Sequence, residues 1–220
     1  MDISLLSASG LEYLFRWGHF LFGVTWVGLL YYFNFVQTEY FKVADPDAKA
    51  DVLQKLAPRA LWWFRWAAMF TFLSGLVLLF FKAAAANLYI YTGALLGTLM
   101  FLNVWLIIWP NQKKVIAGAA DAAAAGAAAG LASRTNTLFS APMLFFMGAS
   151  THLPAGMAAD GAYTLASGAS STAMVIAIVV ILALQANALW GKTGPLASVK
   201  GALSCSLLLT LVLYSILEAF

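Results

Sequence analysis

Two histidines are the side chains in this sequence best suited to hold a metal ion. They are His19 and His152, and the sequence contains no third. Imidazole ligates transition metals and changes its charge near neutral pH. The one cysteine, Cys205, lies in an apolar stretch, and a single thiol can form neither an internal disulfide nor a thiolate cluster. Metal chemistry in this chain would therefore depend on the histidines.

The composition indicates the element type that positions them. Hydrophobic residues make up 63% of the 220 residues and charged residues 10%, whereas a soluble domain carries roughly 25% charged residues. We expect an all-α, polytopic integral membrane helix bundle, a single membrane domain over residues 1–220, in contact with the lipid bilayer. The net charge of +3 does not indicate a nucleic-acid partner. The N-terminus lacks the basic region of a secretory signal, so we expect the first apolar segment to be retained.

About six segments are long and apolar enough to span a bilayer, which needs about 20 residues. We expect Pro110 to end the third span and a short surface helix to precede the second. The fourth is the shortest apolar stretch and contains Pro142. Residues 155–170, rich in Gly, Ala and Ser, are expected to form an external loop. The predicted spans are 14–35, 61–81, 88–109, 135–152, 171–190 and 199–217.

The basic residues orient this bundle. With six spans, both termini lie on one side, and ten of the 12 lysines and arginines fall on the other side. Cytoplasmic loops are enriched in Lys and Arg. We therefore expect both termini to be periplasmic, in the inner membrane of a bacterium. The ten are Lys42, Lys49, Lys55, Arg59, Arg65, Lys113, Lys114, Arg134, Lys192 and Lys200.

The orientation gives the two histidines a similar depth. His19 follows the start of the first span and His152 ends the fourth, so both lie near the outer face. Two facing histidines in a bundle can hold the iron of a haem b from both sides. A histidine in a span can instead simply hydrogen-bond a neighbouring backbone group, and the spacing leaves both interpretations open.

The neighbours of the histidines suit a flat macrocycle. Gly23 lies four residues after His19 and Gly148 four residues before His152, so each glycine shares a helix face with its histidine. Trp26 extends the same wall. Arg16 and Lys82, the two basic residues expected on the outer side, are candidate partners for haem propionates.

Four stretches of the chain resemble the bacterial membrane urate hydroxylase family, whose membrane part is called the urate oxidase N-terminal domain. Together they cover most of residues 14–154. The stretches are Arg16-Trp17-Gly18-His19 with Gly23, Trp26, Gly28 and Tyr31-Tyr32-Phe33; Trp63-Phe64-Arg65-Trp66 with Leu73-Ser74-Gly75; Asn103 with Pro110-Asn111-Gln112-Lys113-Lys114-Val115; and Ser133-Arg134-Thr135-Asn136-Thr137 through Pro142 to His152-Leu153-Pro154.

The resemblance implies an electron-transferring membrane protein. Members of this family oxidise urate to 5-hydroxyisourate and carry a cytochrome c domain outside the membrane. The chain departs from that pattern in having no CxxCH motif, and in having Thr135 and Thr151 where the family has histidine and asparagine. We therefore expect a haem b redox protein that works with a separate periplasmic cytochrome c or a larger redox complex. The alternative is a non-catalytic accessory subunit of a respiratory or photosynthetic complex.

Overall fold

The computed structural model describes residues 4–82, 86–157, 163–165 and 171–219. Within these residues the chain forms long helices, two short 3₁₀ turns and one small antiparallel hairpin. The elements are α1 (Ala8–Tyr31, a π-helical stretch Tyr32–Gln37, Thr38–Val43), α2 (Pro46–Asp51, a π-helical stretch Val52–Leu56, Ala57–Lys82), α3 (Leu88–Leu102, a π-helical stretch Asn103–Ile108, Trp109–Ile116), α4 (Ala122–His152), β1 (Pro154–Met157), β2 (Tyr163–Leu165), α5 (Ser171–Trp190) and α6 (Val199–Ala219), with 3₁₀ turns at Ser4–Leu6 and Gly194–Ala197.

The expected all-helical membrane architecture is confirmed. Among the described residues, five helices are long and apolar enough to cross a membrane: α1, α2, α3, α5 and α6. The fourth predicted span is the second half of α4, a helix of 31 residues that is about 46 Å long at 1.5 Å per residue. It is less apolar than the others because it carries Thr135, Asn136 and Thr137, and all three of these side chains are buried.

Several predicted helix ends were wrong. The first helix begins at Ala8 rather than residue 14 and continues to Val43, and the predicted surface helix is the first part of α2. Helix α3 does not stop at Pro110 but runs on to Ile116. The fourth helix begins at Ala122, within an Ala/Gly-rich stretch over residues 115–132. The predictions were too short because they followed hydropathy, whereas these helices continue past their apolar cores.

A π-helical stretch explains why proline does not end α3. Proline has no N–H and its ring clashes with the carbonyl one turn earlier. Asn103–Ile108 is wound more widely, so that the Trp109 N–H bonds the Val104 carbonyl five residues back, immediately before Pro110. The Asn111 side-chain amide then donates to the Ile107 carbonyl at 2.8 Å. The extra residue in the π turn changes the position of the proline ring and lets the helix continue.

The described contacts divide the chain into two compact units, and each is treated separately below. Unit 1 comprises Met1–Ala84 with Phe101–Ala129, and unit 2 comprises Ala85–Met100 with Gly130–Phe220. This division does not test the predicted single membrane domain.

In unit 2, the first half of α3 packs closely on α4. A Cβ added at Gly93 would lie 3.1 Å from the Met147 backbone nitrogen, so glycine allows the two backbones to approach. The Asn136 side-chain amide donates to the Met100 carbonyl at 3.0 Å. The Asn87 side-chain amide donates to the Ser150 carbonyl at 2.9 Å. Small residues and side-chain amides therefore hold these helices together.

Pro142 in α4 is accommodated by a serine of α6, also within unit 2. Pro142 cannot donate to the Leu138 carbonyl four residues back. The buried Ser206 hydroxyl donates to that oxygen at 2.8 Å, and the Ala141 N–H donates to Ser206 Oγ at 3.3 Å. A side chain of one helix thus completes the backbone pairing of another, as a membrane interior requires.

Replacing Ser206 should expose this dependence. We expect Ser206→Ala to lower the free energy of unfolding by about 1–3 kcal/mol, because the Leu138 carbonyl is left unpaired in a buried position. Adding Pro142→Ala restores an N–H for that carbonyl, so the double variant should recover most of the loss. Ser204→Ala, at an exposed position on the same helix, is the matched control. Equilibrium unfolding in mixed micelles measures all four proteins, and equal losses at Ser204 and Ser206 would contradict the assignment.

Candidate functional site

His19 lies on α1 where this helix packs against α2 in unit 1. The two helices interlock through aromatic side chains: the ring centroids of Phe22 and Phe70 are 5.0 Å apart, and those of Phe33 and Phe64 are 5.5 Å apart. His19 is half-buried one turn before Phe22. The imidazole is therefore held between two packed helices.

Two polar groups of α2 fix the imidazole. His19 Nδ1 lies 2.9 Å from the Thr71 carbonyl oxygen and 3.1 Å from Ser74 Oγ. A carbonyl oxygen can only accept, so Nδ1 carries the proton and donates it. Ser74 Oγ lies 2.6 Å from the Phe70 carbonyl oxygen, to which its hydroxyl donates. Ser74 is therefore a second acceptor for the Nδ1 proton.

The opposite nitrogen of the ring is consequently left with a lone pair. With Nδ1 protonated, neutral His19 presents Nε2 as an unprotonated nitrogen, which has no hydrogen-bond partner within the described part of the chain. Metal-ligating histidines commonly donate their other ring N–H to a backbone carbonyl, which fixes tautomer and ring orientation. The backbone hydrogen bond and metal ligation, which the sequence left as alternatives, are thus compatible at this residue.

Gly75 lets the ring lie against α2. A Cβ at Gly75 would lie 3.1 Å from His19 Cε1, which is a tight contact, and 3.6 Å from Nδ1, which is an ordinary van der Waals contact. A larger residue at this position would require the ring to shift by a few tenths of an ångström. The sequence analysis did not assign Thr71, Ser74 or Gly75 to the site. The signal that could have found them is the spacing of Thr71 and Ser74 on one face of an apolar helix, with a small residue next to them.

The neighbours predicted on α1 differ in their surroundings. Trp26 is 2% exposed, and its Nε1 has no hydrogen-bond partner among the described residues. A Cβ at Gly23 would make only an ordinary contact, 3.9 Å from Thr71 Cγ2, so a methyl group would fit there without a clash. Arg16 forms an ion pair with Glu12, one turn earlier on the same helix.

Three further residues were predicted for the site from the sequence: His152, Gly148 and Lys82. His152 is the last residue of α4 in unit 2 and its side chain is exposed, as is Gly148. The pairing of His152 with His19 therefore stays a prediction. Lys82 ends α2, and its side chain lies outside the described residues. Across the residues that the structure describes, no three His, Cys, Asp or Glu side chains come together as a metal cluster.

The tautomer of His19 can be measured directly. In protein labelled with ¹⁵N-histidine, we expect His19 to show a protonated Nδ1 and an unprotonated Nε2 at neutral pH in the absence of added metal or haem. The physical reason is that the Thr71 carbonyl can only accept a hydrogen bond, so the proton lies on Nδ1. His19→Gln assigns the resonances by removing them and leaving those of His152. An unprotonated Nδ1 on His19 would contradict the geometry.

A family model described as "Urate oxidase N-terminal" matches residues 80–194, more than half of the chain. The match includes the buried polar stretch of α4, Pro142 and His152, and it begins after His19. No curated protein and no solved structure matches the chain. By the extent of this match, the chain belongs to the urate oxidase N-terminal family.

Proposed function

We propose that this protein is a membrane haem b redox protein that exchanges electrons near the periplasmic face with a c-type cytochrome or a larger redox complex. Urate or a related purine is the proposed electron donor. The observation that carries the proposal is His19, whose Nδ1 donates to the Thr71 carbonyl, which leaves Nε2 as the nitrogen that can bind a metal. Membership of the urate oxidase N-terminal family supports the choice of donor.

The residues at His19 fit a haem better than a protein-built metal site. The described residues supply no cluster of three ligating side chains, whereas a porphyrin brings four nitrogens and needs only axial ligands from the protein. When bound, the haem would supply a one-electron iron couple. His19 is the proposed axial ligand, and His152 is proposed as the second.

Arg16 and Lys82 are proposed to hold the propionates. Arg16 already pairs with Glu12, but a guanidinium has five N–H donors and can serve two carboxylates at once. Gly23 and Trp26 are proposed to lie beside the macrocycle, and Trp26 forms part of the buried wall on the same helix. We also propose Gly148 as the equivalent small residue beside His152.

The chemistry sets the number of electrons to be transferred. Oxidation of urate to 5-hydroxyisourate takes an oxygen atom from water and releases two electrons and two protons. A c-type cytochrome accepts one electron at a time, so two reduced cytochromes should form for each urate. An acceptor on the periplasmic side suits the orientation proposed from the basic residues, with both termini periplasmic in a bacterial inner membrane.

A reduced-minus-oxidised spectrum of the purified protein tests the haem. We expect the bands of a b-type haem, and we expect His19→Ala to lose them because the axial nitrogen is removed. Added imidazole should restore part of the spectrum if the variant is folded. Ser74→Ala is the control, since the Thr71 carbonyl still holds Nδ1. A colourless wild-type protein, or full haem content in His19→Ala, would exclude His19 as the ligand.

Membranes that contain the protein test the donor. With oxidised cytochrome c added, we expect urate to drive its reduction at about two equivalents per urate oxidised. The His19→Ala variant should lower the rate to that of membranes lacking the protein. Absence of urate-dependent reduction by a haem-loaded protein would remove urate from the proposal and leave electron transfer with another donor.

A further inference from the structure

A basic groove lies between α2 and the end of α3 in unit 1, well separated along the chain from His19. Its volume is about 340 Å³, which is far more than the roughly 30 Å³ that one water molecule occupies in the liquid. We call it the Arg65–Trp109 groove. It is lined by Pro58, Arg65, Trp109, Lys113, Ile116 and Ala117.

Two cations of this groove contact one aromatic ring. The Arg65 guanidinium carbon lies 3.7 Å from the Trp109 ring centroid, and the Lys113 ammonium nitrogen lies 5.5 Å from it. Cation–π contacts within about 6 Å hold a positive charge in place without neutralising it. Trp109 therefore gathers two positive charges at the same place.

Neither cation has an acidic partner within the described residues. In the ion pairs found there, the carboxylates pair with other basic residues: Glu12 with Arg16, Glu39 with Lys42, Asp51 with Lys55 and Asp121 with Lys114. Arg65 is half-buried and Lys113 is exposed. Two neighbouring charges of one sign, one of them partly removed from water, raise the free energy of the groove unless an anion enters it.

The positions of these residues along their helices indicate which anion is available to the groove. Arg65 lies in a helix long and apolar enough to span the bilayer, and Trp109 and Lys113 follow the apolar part of another. Tryptophan and basic residues at the end of a span mark the level of the lipid headgroups. At that level the abundant anions are lipid phosphates, and basic pockets between helices bind anionic headgroups.

We propose that the Arg65–Trp109 groove binds the phosphate of an anionic phospholipid. Arg65 and Lys113 donate to the phosphate oxygens, and the Trp109 ring contacts both cations. Ile116, Ala117 and Pro58 form the apolar remainder of the groove, which suits the glycerol and upper acyl chain of a lipid better than a free hydrated anion. The site does not depend on the proposed haem.

Lys114 provides a matched control. It is adjacent to Lys113 and carries the same charge, but its ammonium donates to the Asp121 carboxylate at 2.7 Å. That hydrogen bond lowers the pKa of Asp121 below its usual value, and Lys114 already has a counter-ion. Lys113→Gln and Lys114→Gln therefore change the net charge equally, and only the first removes a groove cation.

Native mass spectrometry of the full-length protein in a neutral detergent tests the proposal. With phosphatidylglycerol titrated in, we expect one lipid to bind selectively over phosphatidylcholine. Lys113→Gln and Arg65→Gln should each weaken this binding about fivefold, the effect of one basic residue near an anionic lipid. Lys114→Gln should bind like the unaltered protein. Lys113 is exposed, so its variant remains informative even if Arg65→Gln does not fold.

Three outcomes would overturn the proposal. Equal weakening by Lys113→Gln and Lys114→Gln would show a general surface charge effect rather than a groove. Binding of phosphatidylcholine as tightly as phosphatidylglycerol would show that the groove does not select for the charge of the headgroup. Displacement of phosphatidylglycerol by inorganic phosphate at the same concentration would identify a soluble phosphate, not a lipid, as the occupant.

Discussion

A helix in hydrocarbon must pair every backbone N–H and carbonyl within the protein, and the rest of this structure depends on how that constraint is met. Three of the six prolines lie inside the described helices. Pro58 and Pro110 each follow a π-helical stretch by two residues. Pro142 has no such stretch before it, and Ser206 donates to the carbonyl that this proline leaves open. The hydrogen bond between these two helices therefore forms where one helix lacks a backbone hydrogen bond of its own.

The same constraint fixes the chemistry of His19. An imidazole N–H within a span also needs an acceptor, and the Thr71 carbonyl supplies it. Satisfying that donor determines the tautomer, and the tautomer leaves Nε2 as the nitrogen that can ligate a metal. Gly75 lets the ring lie against α2 without the tight contact that a Cβ at this position would make with Cε1. The packing of two helices thus determines which nitrogen of His19 keeps its lone pair.

The features that the sequence predicted correctly are those that depend on hydropathy and residue type. The 63% hydrophobic content indicated a helical membrane protein, and α5 has the predicted ends, 171–190, because its apolar run and its helix coincide. Helix ends elsewhere were missed since α1 and α2 continue beyond their apolar cores. His19 was predicted as a site residue because a titratable residue in a span is conspicuous. Thr71 was not found because its contribution is a backbone carbonyl, which every residue possesses.

The family match and the geometry support different halves of the proposed function. The match covers residues 80–194 and so includes α4, α5 and His152, but neither α1 nor most of α2. His19, Thr71 and Gly75 precede it, as does Arg65. The assignment of His19 as a ligand therefore rests on its own contacts, and the choice of urate rests on family membership. Since neither line of support depends on the other, loss of urate chemistry would leave the His19 geometry to be explained, and an absent haem would leave the family assignment unchanged.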